Sequence, residues 1–329
     1  MFSSLELPAA YGLRGTNIFT MDANKPQVEA VGVVHGRIVA VGSVTEVQAA
    51  LPAAAPLIDV GHRMVLPGFT DSHIHYGYLV RKWSAVDLDG CGSLSEALDR
   101  VREHVEGATG TPSAWVDGHG WAAHDWGEQP TAKALDAVVG HRPAALTAKD
   151  GHALWVNSAA LSLAGITRDT ADPPGGVIER DAETGEPTGV LYEDAMKLVL
   201  NVMPEMEVDA LAAAMRASFH RLHAQGITAI HCPELLSDWQ AYDSLRQQGE
   251  LAVRVTFMPE ARQLEHLTAL GIESGLGGEW LRFGQLKFFA DGTLGSRTAA
   301  MLAPFEGEPA NVGVVVCGGE ELKQLVSQA

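Results

Sequence analysis

The sequence of 329 residues predicts an α/β protein in which a parallel sheet is covered by helices. The main observation is a regular alternation of helix and strand patterns, with short links, over residues 204–329. A second is the run of strand signals within residues 1–65, which predicts a separate small β domain. Residues 85–203 mix short apolar strands near 114–116 and 144–147 with a helical pattern over 94–105, and we interpret them as one inserted α+β subdomain.

The individual elements follow from local patterns. In the first domain, two apolar segments flank HGR at residues 35–37, as two strands flank a tight turn. After the insert, apolar residues of 211–222 recur at helical spacing and Gly226 offers a stop. Three strands and two further helices are then predicted: strands at 227–232, 251–258 and 281–290, and helices at 263–270 and from about 320.

Composition limits the partners and the compartment. There are 23 Lys and Arg against 41 Asp and Glu, and the net charge of −18 repels nucleic acid and anionic membrane surfaces. Cys91, Cys232 and Cys317 are widely spaced without a C-x-x-C pair, which is unlike a disulfide scaffold or a thiolate zinc site. Because no signal-peptide pattern or apolar span of ~20 residues is visible, we expect a cytoplasmic protein acting on a small molecule.

The stretch LPGFTDSHIH at residues 66–75 contains the clearest candidate site. On a strand, residues i and i+2 share a face, so His73 and His75 are expected to project together, with Asp71 on the same side. Two neutral imidazoles on one strand suit a divalent metal such as zinc. The alternative is a pair of polar residues at a strand end.

Lys287 is a second candidate. Along LRFGQLKFFADG at 281–292, Lys287 shares its predicted face with Phe289 and Asp291, and burial of an ammonium is costly unless it is paired or deprotonated. A neutral lysine amine reacts with carbon dioxide to form a carbamate, an anionic oxygen donor able to bridge two metals. A salt bridge to Asp291, or an exposed strand end, is the alternative.

In these motifs the chain resembles the amidohydrolase superfamily, and within it the group similar to N-substituted formamide deformylases. The resemblance implies a metal-dependent hydrolase of carbon–nitrogen bonds other than peptide bonds, such as an amide, formamide or cyclic amide. It also implies a (β/α)8 TIM-type barrel whose first strand, within 66–84, carries His73 and His75, while Lys287 is a carboxylated ligand on the fourth. One or two zinc ions are expected, with manganese, iron or nickel as alternatives. The resemblance rests on PGFTDSHIH together with four further segments: WVDGHGW at 115–121, DGHALWVNS at 150–158, GITAIH at 226–231 and KFFADGTLGSRT at 287–298.

The resemblance also suggests residues that bind the substrate. Loops after strands of α/β folds often hold functional groups, and hydrogen-bonded turns are the alternative role for such residues. Asp291 and Arg297 flank a glycine-rich turn and either orient the substrate or lock the loop. Glu193 is a further possible carboxylate ligand, ranked below Lys287. The predicted substrate-binding residues are Trp121, Asp150, His152, Asp291 and Arg297, with help from Trp155 and Asn157.

The chain departs from the family pattern near its end, because only barrel strands one to four can be assigned. The family has histidine ligands on strands five and six and a general-base aspartate on strand eight, and no histidine follows His266 in this sequence. We therefore expect a very poor hydrolase at best; the alternatives are a catalytically inactive fragment and a metal-binding regulatory protein. Since four strands leave sheet edges uncovered, we also expect aggregation or a partner, such as a second copy of the chain.

Overall fold

The structure, a computed structural model, describes residues 7–107, 115–294 and 297–328. The chain divides into two compact units, one made of residues 1–70 and 226–229 and the other of residues 71–225 and 230–329. Among the described residues, none of the helices combines the length and the apolar character that crossing a membrane requires.

The smaller unit contains a four-stranded sheet in the order β3-β2-β1-β4. Strand β2 pairs antiparallel with β3, which confirms the predicted hairpin. Its turn residues His35 and Gly36 have φ of 48° and 75°, the left-handed conformation that two-residue hairpin turns require. The elements are β1 (Ala10–Phe19), β2 (Gln27–Val34), β3 (Arg37–Gly42), α1 (Val44–Ala50) and β4 (Leu57–Val65).

Residues 86–193 contain a six-stranded mixed sheet in the order β10-β11-β9-β8-β7-β6. Alternate residues of β8 and β9 enter two different hydrophobic clusters, so both faces of the sheet centre are covered. The helix predicted at 94–105 is confirmed as α3, and residue 114 of the predicted strand lies outside the described residues. The elements are β5 (Phe69–Asp71), α2 (Tyr76–Ser84), β6 (Val86–Asp87), α3 (Leu94–Gly107), β7 (Val116–Trp121), a 3₁₀ turn (Ala123–Asp125), α4 (Ala132–Val139), β8 (Ala144–Ala148), β9 (Ala153–Val156), α5 (Ser158–Leu163), β10 (Gly176–Arg180), β11 (Pro187–Glu193) and α6 (Met196–Leu200).

The remaining part shows the predicted alternation of helix and strand. Its strands join β5 in a sheet of order β14-β13-β12-β5, and β13 runs parallel to β14. The α/β class is thus confirmed, whereas this sheet is open within the described ranges and forms no closed barrel. The elements are α7 (Val208–Ala224), β12 (Ile227–Pro233), α8 (Leu236–Gln247), β13 (Arg254–Met258), a 3₁₀ turn (Ala261–Gln263), α9 (Leu264–Ala269), β14 (Leu281–Phe283) and α10 (Gly319–Gln328).

The strand predicted through residue 290 is wrong beyond Phe283. The N–H of Gly284 donates to Phe257 O at 2.7 Å, and the next such bond runs from Lys287 N to Pro259 O at 2.8 Å. In a regular parallel ladder these donors would be two residues apart, so one extra residue bulges out and the predicted alternation of faces breaks. Lys287 therefore forms an isolated bridge with Glu260 instead of lying in a continuous strand.

The sequence predicts an open sheet edge at the fourth strand, but in the structure the far edge of β14 has a backbone partner. Residues 275–278 fold back along β14: Phe283 N donates to Leu276 O, and Gly275 N donates to Phe283 O, each at 2.8 Å. Gly275 and Gly277 allow this because their φ angles of 94° and 131° are accessible to glycine at little cost. The far edge of β14 is thus already paired.

Candidate metal centre

His73 and His75 lie just beyond a strand rather than in it. Strand β5 ends at Asp71, whose Oδ1 accepts the N–H of His73 at 3.0 Å and bends the chain into a turn. Ile74 N then donates to His231 O at 3.0 Å, and His75 is the N-cap residue of α2. The two imidazoles are exposed and meet edge to face, with ring centroids 5.5 Å apart. The predicted pairing of the rings is therefore present, produced by a turn.

One cavity brings His75 and Lys287 together. It has a volume of about 270 Å³, and its other lining residues include Tyr78, Glu234 and Phe289. Lys287 is half-buried, and its Nζ lies 4.8 Å from the centroid of the Phe289 ring. Among the described residues Lys287 makes no ion pair, so the alternative of a salt bridge to Asp291 is not what the structure shows.

Two buried carboxylates beside this cavity were not predicted from the sequence. Glu234 is 7% exposed and Asp238 is 1% exposed. Glu234 accepts the N–H of Gly77 and, at 2.8 Å, the hydroxyl of Tyr242. Asp238 accepts Nη1 of Arg81 at 2.7 Å. The available signal was the position of Glu234 directly after β12, where α/β folds place functional groups, whereas Asp238 lies in the first turn of α8.

The surroundings of these carboxylates favour their protonated forms. Burial raises the pKa of Glu234 to about 8, and the neighbouring Asp238 acts in the same direction. For Asp238, burial also raises the pKa, although the Arg81 guanidinium opposes the shift. Burial also raises the pKa of the Tyr242 hydroxyl. At neutral pH the Glu234 side chain is therefore mainly a neutral hydrogen-bonding group.

A larger cavity lies on the side of the six-stranded sheet. It has a volume of about 640 Å³, it is lined by Asp150, and it shares Tyr78 and Arg81 with the smaller cavity. His152 is exposed, and its Nδ1 lies 3.0 Å from Oε1 of Glu193, which raises the pKa of the imidazole. Asp150 is thus placed within reach of a bound molecule, while Glu193 is engaged with His152.

The aromatic and amide candidates of the insert lie in its core. Trp121 is 5% exposed, and its indole N–H donates to Leu146 O at 2.6 Å. Trp155 is fully buried and donates to Thr131 O at 2.9 Å. Asn157, also fully buried, caps α5 by accepting the N–H of Ala160. These contacts support the fold, and substrate contact by Trp121 stays a prediction.

Asp291 and Arg297 belong to the segment that follows Lys287, and neither lines the two cavities described above. Asp291 accepts the N–H of Ala300 at 2.9 Å, and Arg297 forms an ion pair with Glu308. The intervening residues 295 and 296 lie outside the described residues. In this arrangement both side chains stabilise their own loop, which was one of the two roles predicted for them.

The donor set of this centre fits a metal ion in part. The imidazoles of His73 and His75, with ring centroids 5.5 Å apart, offer nitrogen donors, and so does Lys287 in the cavity that His75 lines. If Lys287 were carboxylated, it would offer an oxygen donor instead. No group of three or more His, Cys, Asp or Glu side chains in the described part of the chain is arranged to hold an ion. His73, His75 and Lys287 would therefore be an incomplete set of ligands for such an ion.

Comparisons with known proteins found similar sequences. The sequence profile of the Amidohydrolase family matches residues 57–329. The chain is 32% identical to YtcJ of Bacillus subtilis strain 168 over 325 residues, covering 96% of this chain. It is 35% identical to the N-substituted formamide deformylase of Arthrobacter pascens over 222 residues, 65% of this chain and 40% of that protein.

A solved structure shows the same fold. It is the crystal structure of an uncharacterized metal-dependent hydrolase from Pyrococcus furiosus, which superimposes with a TM-score of 0.80 at 24% identity over 97% of this chain. The chain spans 60% of the length of YtcJ and 64% of the archaeal chain. The matched relatives are therefore considerably longer than this chain of 329 residues.

Proposed function

The chain belongs to the amidohydrolase family, and from this premise we propose that it is part of a metal-dependent hydrolase of small molecules. The bond cleaved is a carbon–nitrogen bond other than a peptide bond, in an amide, formamide or cyclic amide. The observation that carries the proposal is the meeting of His75 and Lys287 in one cavity, beside the edge-to-face ring of His73. The similarity to a formamide deformylase supports the choice of bond.

In this proposal His73 and His75 bind the ion through imidazole nitrogens, and Lys287 contributes a carbamate oxygen. A divalent ion held there supplies Lewis acidity and makes water a nucleophile near neutral pH. Zinc is our first choice because imidazole and oxygen donors suit it, and manganese, iron and nickel accept similar donors. These three residues provide neither the remaining ligands nor the general base.

The protein residues around the cavities position the substrate. The shared lining by Tyr78 and Arg81 supports one small molecule extending from His75 towards Asp150. The scissile group would lie in the smaller cavity and the rest of the molecule in the larger one. Substrate-binding roles for Trp121, Asp150, His152, Asp291 and Arg297 remain part of the proposal.

We further propose that the sheet β14-β13-β12-β5 is part of a (β/α)8 barrel. Its strands are neighbours in the order expected for barrel strands one to four.

We also propose a cytoplasmic location. Three free cysteines, two of them buried, suit the reducing conditions of the cytoplasm.

The test is the metal content of the purified chain, measured by inductively coupled plasma mass spectrometry. The variants are His73→Ala and Lys287→Met, with His220→Ala on the exposed face of α7 as the matched control. We expect about one or two equivalents in the wild type and the control, and loss in both site variants. A folded wild-type protein without metal would contradict the proposal.

A second candidate is a protein without catalysis, either an inactive amidohydrolase fragment that lacks the distal ligands and the general base or a regulatory protein that binds metal. The incomplete set of ligands in the described ranges favours it. The regulatory protein predicts that Lys287→Met keeps the metal of the wild type, because His73 and His75 would then bind the ion without the lysine. A screen of small amides, formamides and cyclic amides would show no turnover by either kind of protein, regulatory or fragment.

A further inference from the structure

The start of α2 is capped by a residue distant in sequence. His75 occupies the N-cap position, but its side chain makes no capping hydrogen bond. The first N–H groups of a helix lack partners within the helix and require an acceptor. Glu234, 157 positions along the chain, supplies one by accepting the N–H of Gly77. The imidazole of His75 is thereby free to face the cavity that it lines.

A second carboxylate holds the same helix one turn later. Asp238 accepts Nη1 of Arg81 at 2.7 Å, and its other oxygen accepts the N–H of Leu235 at 2.9 Å. Gly77 and Arg81 are four residues apart and therefore lie on one face of α2. Both carboxylates thus contact the face that begins two residues after His75.

The approach of these groups depends on the absence of a side chain at Gly77. A Cβ atom built there would lie 2.1 Å from Asp238 Oδ1 and 3.0 Å from Arg81 Nη1. Tyr242 is fully buried, and its hydroxyl donates a hydrogen bond of 2.8 Å to Oε2 of Glu234, the oxygen that does not accept from Gly77. Burying carboxyl groups is costly, and here each is hydrogen-bonded to the helix that carries the candidate ligand.

We propose that Glu234 is a positioning residue for His75: it caps α2 in place of the histidine and holds the backbone from which the imidazole enters the cavity. The inference rests on the proposed function, because the imidazole is placed for metal binding. Asp238 supports the same helix through Arg81. The part that matters is hydrogen bonding by Glu234, not its charge, so glutamine should replace it and alanine should not.

The experiment has two readouts on the full chain. Hydrogen–deuterium exchange of residues 72–84 in metal-free protein reports whether the cap holds the helix start. Titration with Co²⁺, followed by its visible absorption spectrum, reports affinity and ligand geometry. The variants are Glu234→Ala, Glu234→Gln and, as a matched control, Thr131→Ala, which removes the N-cap side chain of α4 instead.

We expect Glu234→Ala to speed exchange at the start of α2, to weaken Co²⁺ binding about tenfold or more and to change the spectrum. Glu234→Gln should stay within a few fold of the wild type, and Thr131→Ala should lower stability without altering Co²⁺ binding. Unchanged exchange in folded Glu234→Ala would overturn the proposal. So would a loss of Co²⁺ binding as large in Glu234→Gln as in Glu234→Ala, because the charge would then be required.

The two proposals fail in different ways. If the folded wild type binds no Co²⁺, the proposed function fails. The exchange measurement still decides whether Glu234 holds the helix start at His75.

Discussion

Glu234 combines deep burial with hydrogen bonds from two elements, and this combination sets its response to pH. Its pKa rises from the ordinary 4.5 to about 8 because the folded protein disfavours the charged form. The folded state therefore binds this proton more tightly than the unfolded state. Proton binding by Glu234 therefore stabilises the folded state fully below about pH 4.5. This contribution to the unfolding free energy decreases as pH rises and is lost above about pH 8.

Replacing Glu234 by glutamine should remove this pH dependence. Relative to Glu234→Gln, the wild type should lose up to about 1.4 kcal/mol of unfolding free energy per pH unit between pH 5 and 8. Urea unfolding at several pH values measures the difference. The control is Glu308→Gln: hydrogen bonds from Asn311 and Arg297 lower the pKa of Glu308, so its difference from the wild type should stay constant above pH 5. A constant difference for Glu234→Gln as well would contradict the assigned pKa.

The sequence could single out the histidine pair and Lys287 as candidates, because a short motif and a lysine among apolar residues are local signals. Glu234 has no local signal of comparable strength. Its partners Gly77 and Tyr242 are 157 and 8 residues away, and only the fold shows that they meet. The same reason explains the bulge before Lys287, which depends on pairing with Pro259 and not on its own side chains.

At the level of elements, α2 links the candidate ligand to the rest of the larger unit. Tyr76, the residue after His75, is fully buried, and it stacks on Phe219 of α7 with ring centroids 5.8 Å apart. Its hydroxyl lies 2.8 Å from Ser218 Oγ. Helix α2 is thus held by apolar packing on α7 and by the carboxylates of Glu234 and Asp238. A change on either side should move His75.

The substitution Gly77→Ala tests this packing, because the packing predicts that alanine lowers the free energy of unfolding instead of raising it. Alanine normally stabilises a helix interior relative to glycine by about 0.5–1 kcal/mol. Here the new Cβ would meet Asp238 Oδ1, which is held by Arg81, so we expect a loss of about 1–3 kcal/mol on thermal or urea unfolding. The matched control is Gly107→Ala at the end of α3, where a built Cβ meets no atom of the described residues within 4 Å apart from its own helix and chain neighbours, and its stability should be equal or slightly higher. A stabilised Gly77→Ala protein would show that the carboxylates are not fixed against α2.

The helices and strands were largely predictable, because periodicity and glycine positions are local. Strand β12 and helix α10 agree closely with the predicted 227–232 and the helix from about 320. Errors arose where a side-chain turn or a backbone pairing that the apolar pattern does not show sets the structure. The turn at Asp71 ends β5 before the histidines, and residues 275–278 cover the edge of β14 that the sequence left open.

For the whole molecule, the distribution of burial is uneven. Apolar cores fill the six-stranded sheet and the packing around α7, but within the described ranges no residue of 284–328 is buried. Several apolar side chains there are largely exposed: Phe289, Leu294, Leu302, Val312, Val314, Val315 and Val316. Where exposed apolar side chains form one contiguous patch, they often mark a contact with another polypeptide.

We therefore expect the 329-residue chain to self-associate, with the net charge of −18 opposing but not preventing association. Size-exclusion chromatography with light scattering, over a concentration series, should show species larger than 34.9 kDa. Replacing Val314 and Val316 together by glutamate should shift the chain towards the monomer, because burying the new charges at a contact is costly. Leu163→Glu, at an exposed apolar position of α5, adds charge elsewhere and should leave association unchanged. A wild-type chain that is monomeric throughout and unfolds cooperatively would show that residues 284–328 tolerate their exposure without a partner.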